Sequence, residues 1–303
     1  MVQIGEAFGP VAPVGLLEHR TSLAAAAATP TLGPRGTPSF PTEDTEDTMD
    51  GYGPNTYGDR FADVYDDWYG DVSDADATVE RVAGLAAAAG TRRVLDLGGG
   101  SGRLAVPLAA RGIATWTVDA SLAMLRRLRS KPGGEAVHAV VGDMAALPLS
   151  ARARFGVVLC AFNTLFNLTT IEAQRRCLAD AAARLDPGGG RLVIESFVAP
   201  VNEEGDAAVG AVEPRHIGLD EVVLTISRLD PASHTITGQH VQITEAGIRL
   251  RPWMLRYLSP EELDAMAAEA GLRLVDRNAG WRAEPFTGDS SVHVSTYALT
   301  ARG

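Results

Sequence analysis

The chain has 303 residues, enough for one large core with an elaboration, and its 38 acidic against 27 basic side chains give a formal charge of -11. Basic residues are nowhere concentrated and no apolar run is long enough to cross a bilayer, so neither nucleic acid nor membrane is expected as a partner. Cys160 and Cys177 stand alone without disulfide or metal-ligand spacing, and the N-terminus lacks the features of a secretory signal, so a cytoplasmic protein without a metal is expected.

Residues 1–50 are rich in Pro, Gly, Ala and Thr without a sustained period, and read as a flexible extension. Acidic charge follows: from Glu43 to Asp76 twelve acids accompany a single base, Arg60, a balance equal to that of the whole chain. A solvated arm with acids in helix first turns accounts for it, and a segment that folds over a pocket and attracts cations is the sharper alternative. Within this stretch Phe61, Val64, Tyr65 and Trp68 share one helical stripe between Tyr57 and Tyr69.

Val94 to Leu97 then read as a buried strand that runs into Gly98-Gly99-Gly100-Ser101-Gly102 and a helix start. Such a turn lets the backbone approach a ligand closely. Asp96, two residues before the first glycine, would set negative charge beside the phosphates of a dinucleotide and so argues for a ligand of another kind. Ile113 to Val118 reads as a second strand ending in Asp119, with Ser121 as cap of the next helix. An acid at that strand end can accept both hydroxyls of a ribose. A third strand, Ala136 to Val141, leads into Gly142-Asp143-Met144, and a fourth, Phe155 to Leu159, into Cys160-Ala-Phe-Asn-Thr-Leu-Phe-Asn-Leu168.

Thr170 caps a helix with Ile171, Leu178, Ala181 and Leu185 on its apolar face, and Asp186-Pro-Gly-Gly-Gly190 turns the chain into a fifth strand, Arg191 to Phe197. Glu221 to Arg228 and Thr235 to Thr244 alternate like a hairpin or a small antiparallel sheet. Ser259-Pro-Glu-Glu262 is a capping box, Gly271 a helix stop, and Leu272 to Arg277 and Val292 to Thr300 the closing strands.

The glycine turn with its preceding acid, Asp119, Gly142-Asp143-Met144 and the segment after the fourth strand stand in the order found in the class I S-adenosylmethionine (SAM) dependent methyltransferases, which this chain resembles from Tyr57 to about Phe197. The resemblance implies a Rossmann-like α/β fold: a mostly parallel seven-stranded sheet with helices on both faces, plus a small antiparallel β cap. It divides the chain into the extension at 1–50, a SAM-binding core at 51–200, a substrate cap at 201–258 and the closing part of the core at 259–303. It assigns SAM, with S-adenosylhomocysteine as product, to Tyr57 and Tyr65 of the aromatic helix and to Asp96, Gly98, Gly99, Gly100 and Gly102. The same assignment takes in Asp119, Ala120, Met124, Gly142, Asp143, Met144, Ala161 and Phe162, with Asp143 expected to take the adenine amino group.

Asn163, Asn167 and Glu195 are the expected acceptor contacts, and Glu195, His216 and His240 the candidates for a base, with His293 a weaker one. No Asn/Asp-Pro-Pro-aromatic motif follows the fourth strand, no second glutamate partners Glu195, and no acid and histidine cluster suggests a metal. The expected activity is methyl transfer to nitrogen or oxygen of a small molecule by a monomer or homodimer. The same pocket could serve a non-methylating cyclisation or rearrangement, or a non-catalytic SAM-binding module.

Overall fold

A computed structural model describes residues 49–70, 72–199 and 209–300, so the proposed extension falls outside the described residues except for its last two positions. The aromatic stripe forms two short helices where one is predicted, α1 (Thr56–Phe61) and α2 (Tyr65–Tyr69). Between them Asp63 turns to a buried arginine, Arg251. The helix α3 (Ala75–Ala88) follows, its first turn capped by the Asp74 carboxylate.

The expected alternation of strands and helices comes next: β1 (Arg93–Leu97), α4 (Ala105–Ala110), β2 (Ala114–Asp119), α5 (Leu122–Ser130), β3 (His138–Val141), β4 (Val157–Cys160), α6 (Ile171–Arg184) and β5 (Arg191–Phe197). Ser121 and Thr170 cap α5 and α6 as predicted, their hydroxyls accepting the backbone N–H three residues on. Two strands start later than the hydrophobic runs suggest. Gly134–Ala136 coil into a 3-10 turn ahead of β3, and Phe155 makes only an isolated bridge with Leu185, which itself lies beyond the end of α6.

The chain then makes four long strands, β6 (Val209–Ile217), β7 (Glu221–Asp230), β8 (Thr235–Thr244) and β9 (Gly247–Arg256). The helix α7 (Pro260–Glu269), with its capping box formed as expected, leads to β10 (Leu272–Asn278) and β11 (Val292–Leu299).

The main sheet has the order β10-β11-β5-β4-β1-β2-β3. Its five strands from β3 to β5 are parallel, while β11 runs antiparallel to both β5 and β10. The central strands are apolar on both sides because helices cover both faces. Val94, Val157 and Leu159 pack with α3 and α4 on one face, while Leu95, Leu97 and Val158 pack with α6 and α7 on the other. The second sheet, β6-β7-β8-β9, is wholly antiparallel and lies over α1 and the C-terminal edge of the main sheet.

Candidate functional site

Strand order reverses at β1, which is flanked by β2 on one side and β4 on the other. In open sheets of this kind the carboxyl ends of such strands border a crevice. Here the crevice is a cavity of about 1030 Å³ including its open mouth. Gly98 and Gly100 form one wall with φ of +61° and +56°, a region that costs a residue with a Cβ about 1 to 2 kcal/mol. A Cβ on Gly100 would meet no protein atom closer than 3.9 Å, so the bare backbone faces open space. Gly99 and Gly102 do other work behind the wall. A Cβ on Gly99 would lie 2.2 Å from Thr117 Oγ1, and one on Gly102 2.8 Å from Leu128 Cγ, so both are needed for packing.

Two carboxylates rim the cavity. Asp119, at the end of β2, accepts the Gly100 N–H at 2.9 Å on one oxygen and the Ser121 N–H at 2.8 Å on the other, which aims it beside the turn. Burial raises its pKa above the ordinary carboxylate value, against those two hydrogen bonds. Asp143 accepts the Ala145 N–H at 2.8 Å. Ala120, Met124, Gly142 and Met144 complete this side. Asp96 does not line the cavity. It is buried beneath Gly99, and burial pushes its pKa up to about 7, Arg103 opposing and the Asp119 charge adding.

The opposite wall is aromatic. Tyr57, Tyr65 and Tyr69 come from α1 and α2, Phe162 from the loop after β4, and Trp253 from β9. Burial raises the pKa of all three phenols, Tyr65 to about 12, so each keeps its proton. His240 from β8 joins them, with Nε2 3.2 Å from the Tyr69 hydroxyl and Nδ1 2.9 Å from Thr225 Oγ1. In the neutral ring one nitrogen donates and the other accepts, and the Tyr69 and Thr225 hydroxyls, each able to do either, satisfy both. Burial, with the Arg215 and Arg251 charges nearby, drives the imidazole pKa down to about 3. His240 is therefore a neutral hydrogen-bonding group that orients Tyr69, and a poor proton acceptor.

The remaining base candidates stand apart from the cavity. Glu195 is buried with both carboxylate oxygens committed, one to the Phe162 N–H at 2.7 Å and the other to Trp281 Nε1 at 2.8 Å. Burial raises its pKa. It is a clamp for the loop after β4, which corrects its assignment as an acceptor contact or base. His216 is exposed near the end of β6, and His293 is buried in β11 with Nδ1 on Ser295 Oγ, so neither reaches the site.

The clamp holds a strained segment, because Phe162 and Asn163 take φ of 50° and 61° in succession. Asn163 lines the cavity, yet its Oδ1 accepts the Phe197 N–H at 2.7 Å and so ties the loop to β5. Asn167 also lines the cavity, and its Oδ1 is buried without a hydrogen-bond partner among the described residues. Ala161 lies behind the lining.

Sequence reasoning misses Tyr69, Thr164, Leu168, Trp253 and Leu255, all of which line the cavity. Tyr69 continues the aromatic spacing of Tyr65 and carried a signal; Trp253 and Leu255 belong to a strand that the pattern does not announce. Among the described residues none lining the cavity is Lys or Arg, and two are Asp, so the site suits a cationic ligand and suits a phosphate poorly.

Comparison with known proteins fits this chemistry. A family model described as a methyltransferase domain matches residues 94–189. A curated relative, the cypemycin N-terminal methyltransferase of a Streptomyces species, is 29% identical over 211 residues, 66% of this chain and 80% of its own length. The CcbJ methyltransferase from Streptomyces caelestis is 39% identical and superposes with a TM-score of 0.73, covering 82% of this chain and 100% of that one. The sugar N-methyltransferase KedS8 from Streptoalloteichus sp ATCC 53650 superposes with a TM-score of 0.58 at 19% identity, over 85% of this chain and 98% of its own, a likeness of fold.

Proposed function

This chain belongs to the class I SAM-dependent methyltransferases, and from that premise we propose that it methylates the nitrogen of a small amine-bearing molecule. The cavity fits SAM, since the bare Gly100 wall leaves room for a closely held ligand and the Asp pair without a basic residue suits positive charge. When bound, SAM supplies a methyl group on a sulfonium centre, made electrophilic by the positive charge. Asp119 would hold the ribose hydroxyls, Asp143 the adenine amino group, and the Gly98–Gly102 turn the rest of the molecule. Alignment of an acceptor lone pair with the methyl carbon is the chief demand on the protein, and positioning of that kind is worth about 7 to 11 kcal/mol.

The buried Asn167 Oδ1, an acceptor in the cavity wall that no described residue satisfies, can take a substrate N–H or O–H and so positions the acceptor, and the observation that carries the choice of nitrogen is the state of His240. A hydroxyl nucleophile would benefit from a general base, a contribution of about 10²–10⁴-fold, whereas a neutral amine presents its lone pair unaided. His240, the one imidazole at the cavity among the described residues, is held neutral and cannot serve well. The aromatic wall favours an amine carried on an apolar body, and its proton leaves to solvent after transfer.

The relative named as an N-terminal methyltransferase gives a second reading, in which the amine is a peptide N-terminus. The relatives reported above are methyltransferases by name, which lends no support to a non-methylating or non-catalytic role. The purified protein with methyl-labelled SAM should label primary and secondary amines in a metabolite extract, leave matched alcohols unlabelled, and release S-adenosylhomocysteine. Label on oxygen would overturn the choice of nitrogen, and label confined to peptides would favour the second reading. Asn167→Ala should raise KM for the amine while SAM affinity stays unchanged.

A further inference from the structure

One cross-strand row on the inner face of the cap sheet is nearly empty of side chains. It runs Ala211, Ser227, Gly238 and Trp253, between a row with Leu229, Ile236 and Leu255 and a row with Thr225, His240 and Arg251. The Trp253 indole takes the space that the small residues leave. A Cβ on Gly238 would lie 2.3 Å from the indole Cζ2, 2.4 Å from Cε2 and 2.8 Å from the Ile226 carbonyl oxygen. Gly238 is not among the glycines with positive φ, so space, and not backbone conformation, is what fixes glycine there. Glycine inside a strand otherwise weakens it, and marks a place where another group comes close.

We propose that Gly238 sets the size of the acceptor by seating Trp253 back in this row, which leaves room for an amine whose apolar ring rests against the indole. The proposal builds on methylation of nitrogen in this cavity. Trp253, Leu255 and His240 are the cap's contribution to the cavity among the described residues, on the wall opposite the glycine turn and the Asp pair. Gly238 itself does not line the cavity and acts through Trp253, as a positioning residue. With any Cβ at position 238 the indole must move by at least about 1 Å to regain ordinary carbon–carbon contact. Trp253 is buried and packed in the core, so the cavity it borders is the free volume open to that movement. An indole face rewards an apolar ring laid against it, and in an apolar pocket one methylene more or less changes selectivity by about 10- to 200-fold. A displaced Trp253 therefore discriminates between rings of different size.

Initial rates of the full-length protein with methyl-labelled SAM and a graded set of amines, cyclopentylamine, cyclohexylamine, aminoindane and aminotetralin, test this. Gly238→Ala should raise KM for the two bicyclic amines at least about tenfold, with kcat for cyclopentylamine and the affinity for SAM unchanged. Trp253→Ala should shift kcat/KM the other way, toward the bicyclic amines. A shift in the same direction in both variants overturns the proposal, as does a loss of SAM affinity that matches the loss of amine affinity. Should Gly238→Ala fail to fold, preference for the bicyclic amines must rise from wild type to Trp253→Phe to Trp253→Ala, and an unchanged preference overturns the proposal. Label that enters no amine at all sinks the choice of nitrogen, and the seat of Trp253 is then decided by binding. Fluorotryptophan in place of the four tryptophans gives a fluorine resonance for Trp253, identified by its loss in Trp253→Phe. Aminotetralin added to the protein with S-adenosylhomocysteine must shift that resonance in wild type and not in Gly238→Ala. No shift in wild type, or equal shifts in both, overturns the proposal.

Discussion

Asp96 sits under the glycine turn, where burial pushes its pKa up to about 7, so its titration falls in the neutral range. A cation bound in the cavity favours the charged form. Binding of SAM should therefore release up to about one proton near pH 7 and tighten as pH rises through that value. Calorimetry in buffers of different ionisation enthalpy counts the proton, and Asp96→Asn should remove both effects. Asp119→Ala should weaken SAM binding by about 1 to 3 kcal/mol, the scale of a charge-assisted hydrogen bond, measured by the same titration. The strand-end acids are legible in the sequence because strand, turn and acid are contiguous and the backbone alone aims them. His240 and Glu195 are not. Both are buried, His240 beside Tyr69, 171 residues away, and Glu195 on Trp281, 86 residues away, and nothing local in the sequence announces either neighbour.

The glycine turn and the 3-10 segment Thr164–Asn167 fit against each other as elements. A Cβ on Gly98 would lie 2.4 Å from Thr164 Cγ2, and the next nearest atom is 3.6 Å away. Gly98→Ala should thus push the segment outward and weaken SAM binding at least about tenfold. Adding Thr164→Ser removes the methyl and should recover most of that loss, leaving a residual ~1 kcal/mol for the left-handed backbone. Binding titrations of the single and double variants separate the two costs. Elements inside the main sheet are readable because their apolar runs are continuous. In the cap only β7 and β8 are apparent; β6 and β9 contain Pro214 and Pro252, which argue against a strand. Both are the edges of their sheet, where proline is tolerated, and edge status is invisible until the pairing is known.

Among the described residues two histidines are buried uncharged, His240 with its pKa at about 3 and His293 at about 4. The unfolded chain takes up protons on both near pH 6.5 while the folded one does not, so their contribution to stability is complete above about pH 6.5 and lost as pH falls toward 4 and 3. The expected penalty is up to about 2 kcal/mol each by pH 5. Thermal melts from pH 8 to 5 should fall accordingly, and the His240→Gln/His293→Gln variant should show a flatter profile.

The buried Arg251 reaches the Arg60 carbonyl and the Asp63 carboxylate, joining α1 to the last cap strand across 191 and 188 residues of chain. On a ribosome this means that α1 waits for its partner until β9 has been made. At about 5 to 20 residues per second the delay is roughly 10 to 40 s. The aromatic wall stays open throughout, because Trp253 and Leu255 arrive with the same strand. A stalled nascent chain ending before Gly247 should therefore be cut by protease between Thr56 and Tyr69, and one extended past the cap should resist. Ligand present in the cell can protect only the finished polypeptide, so quality control during synthesis must act on a chain that has no completed pocket to fill.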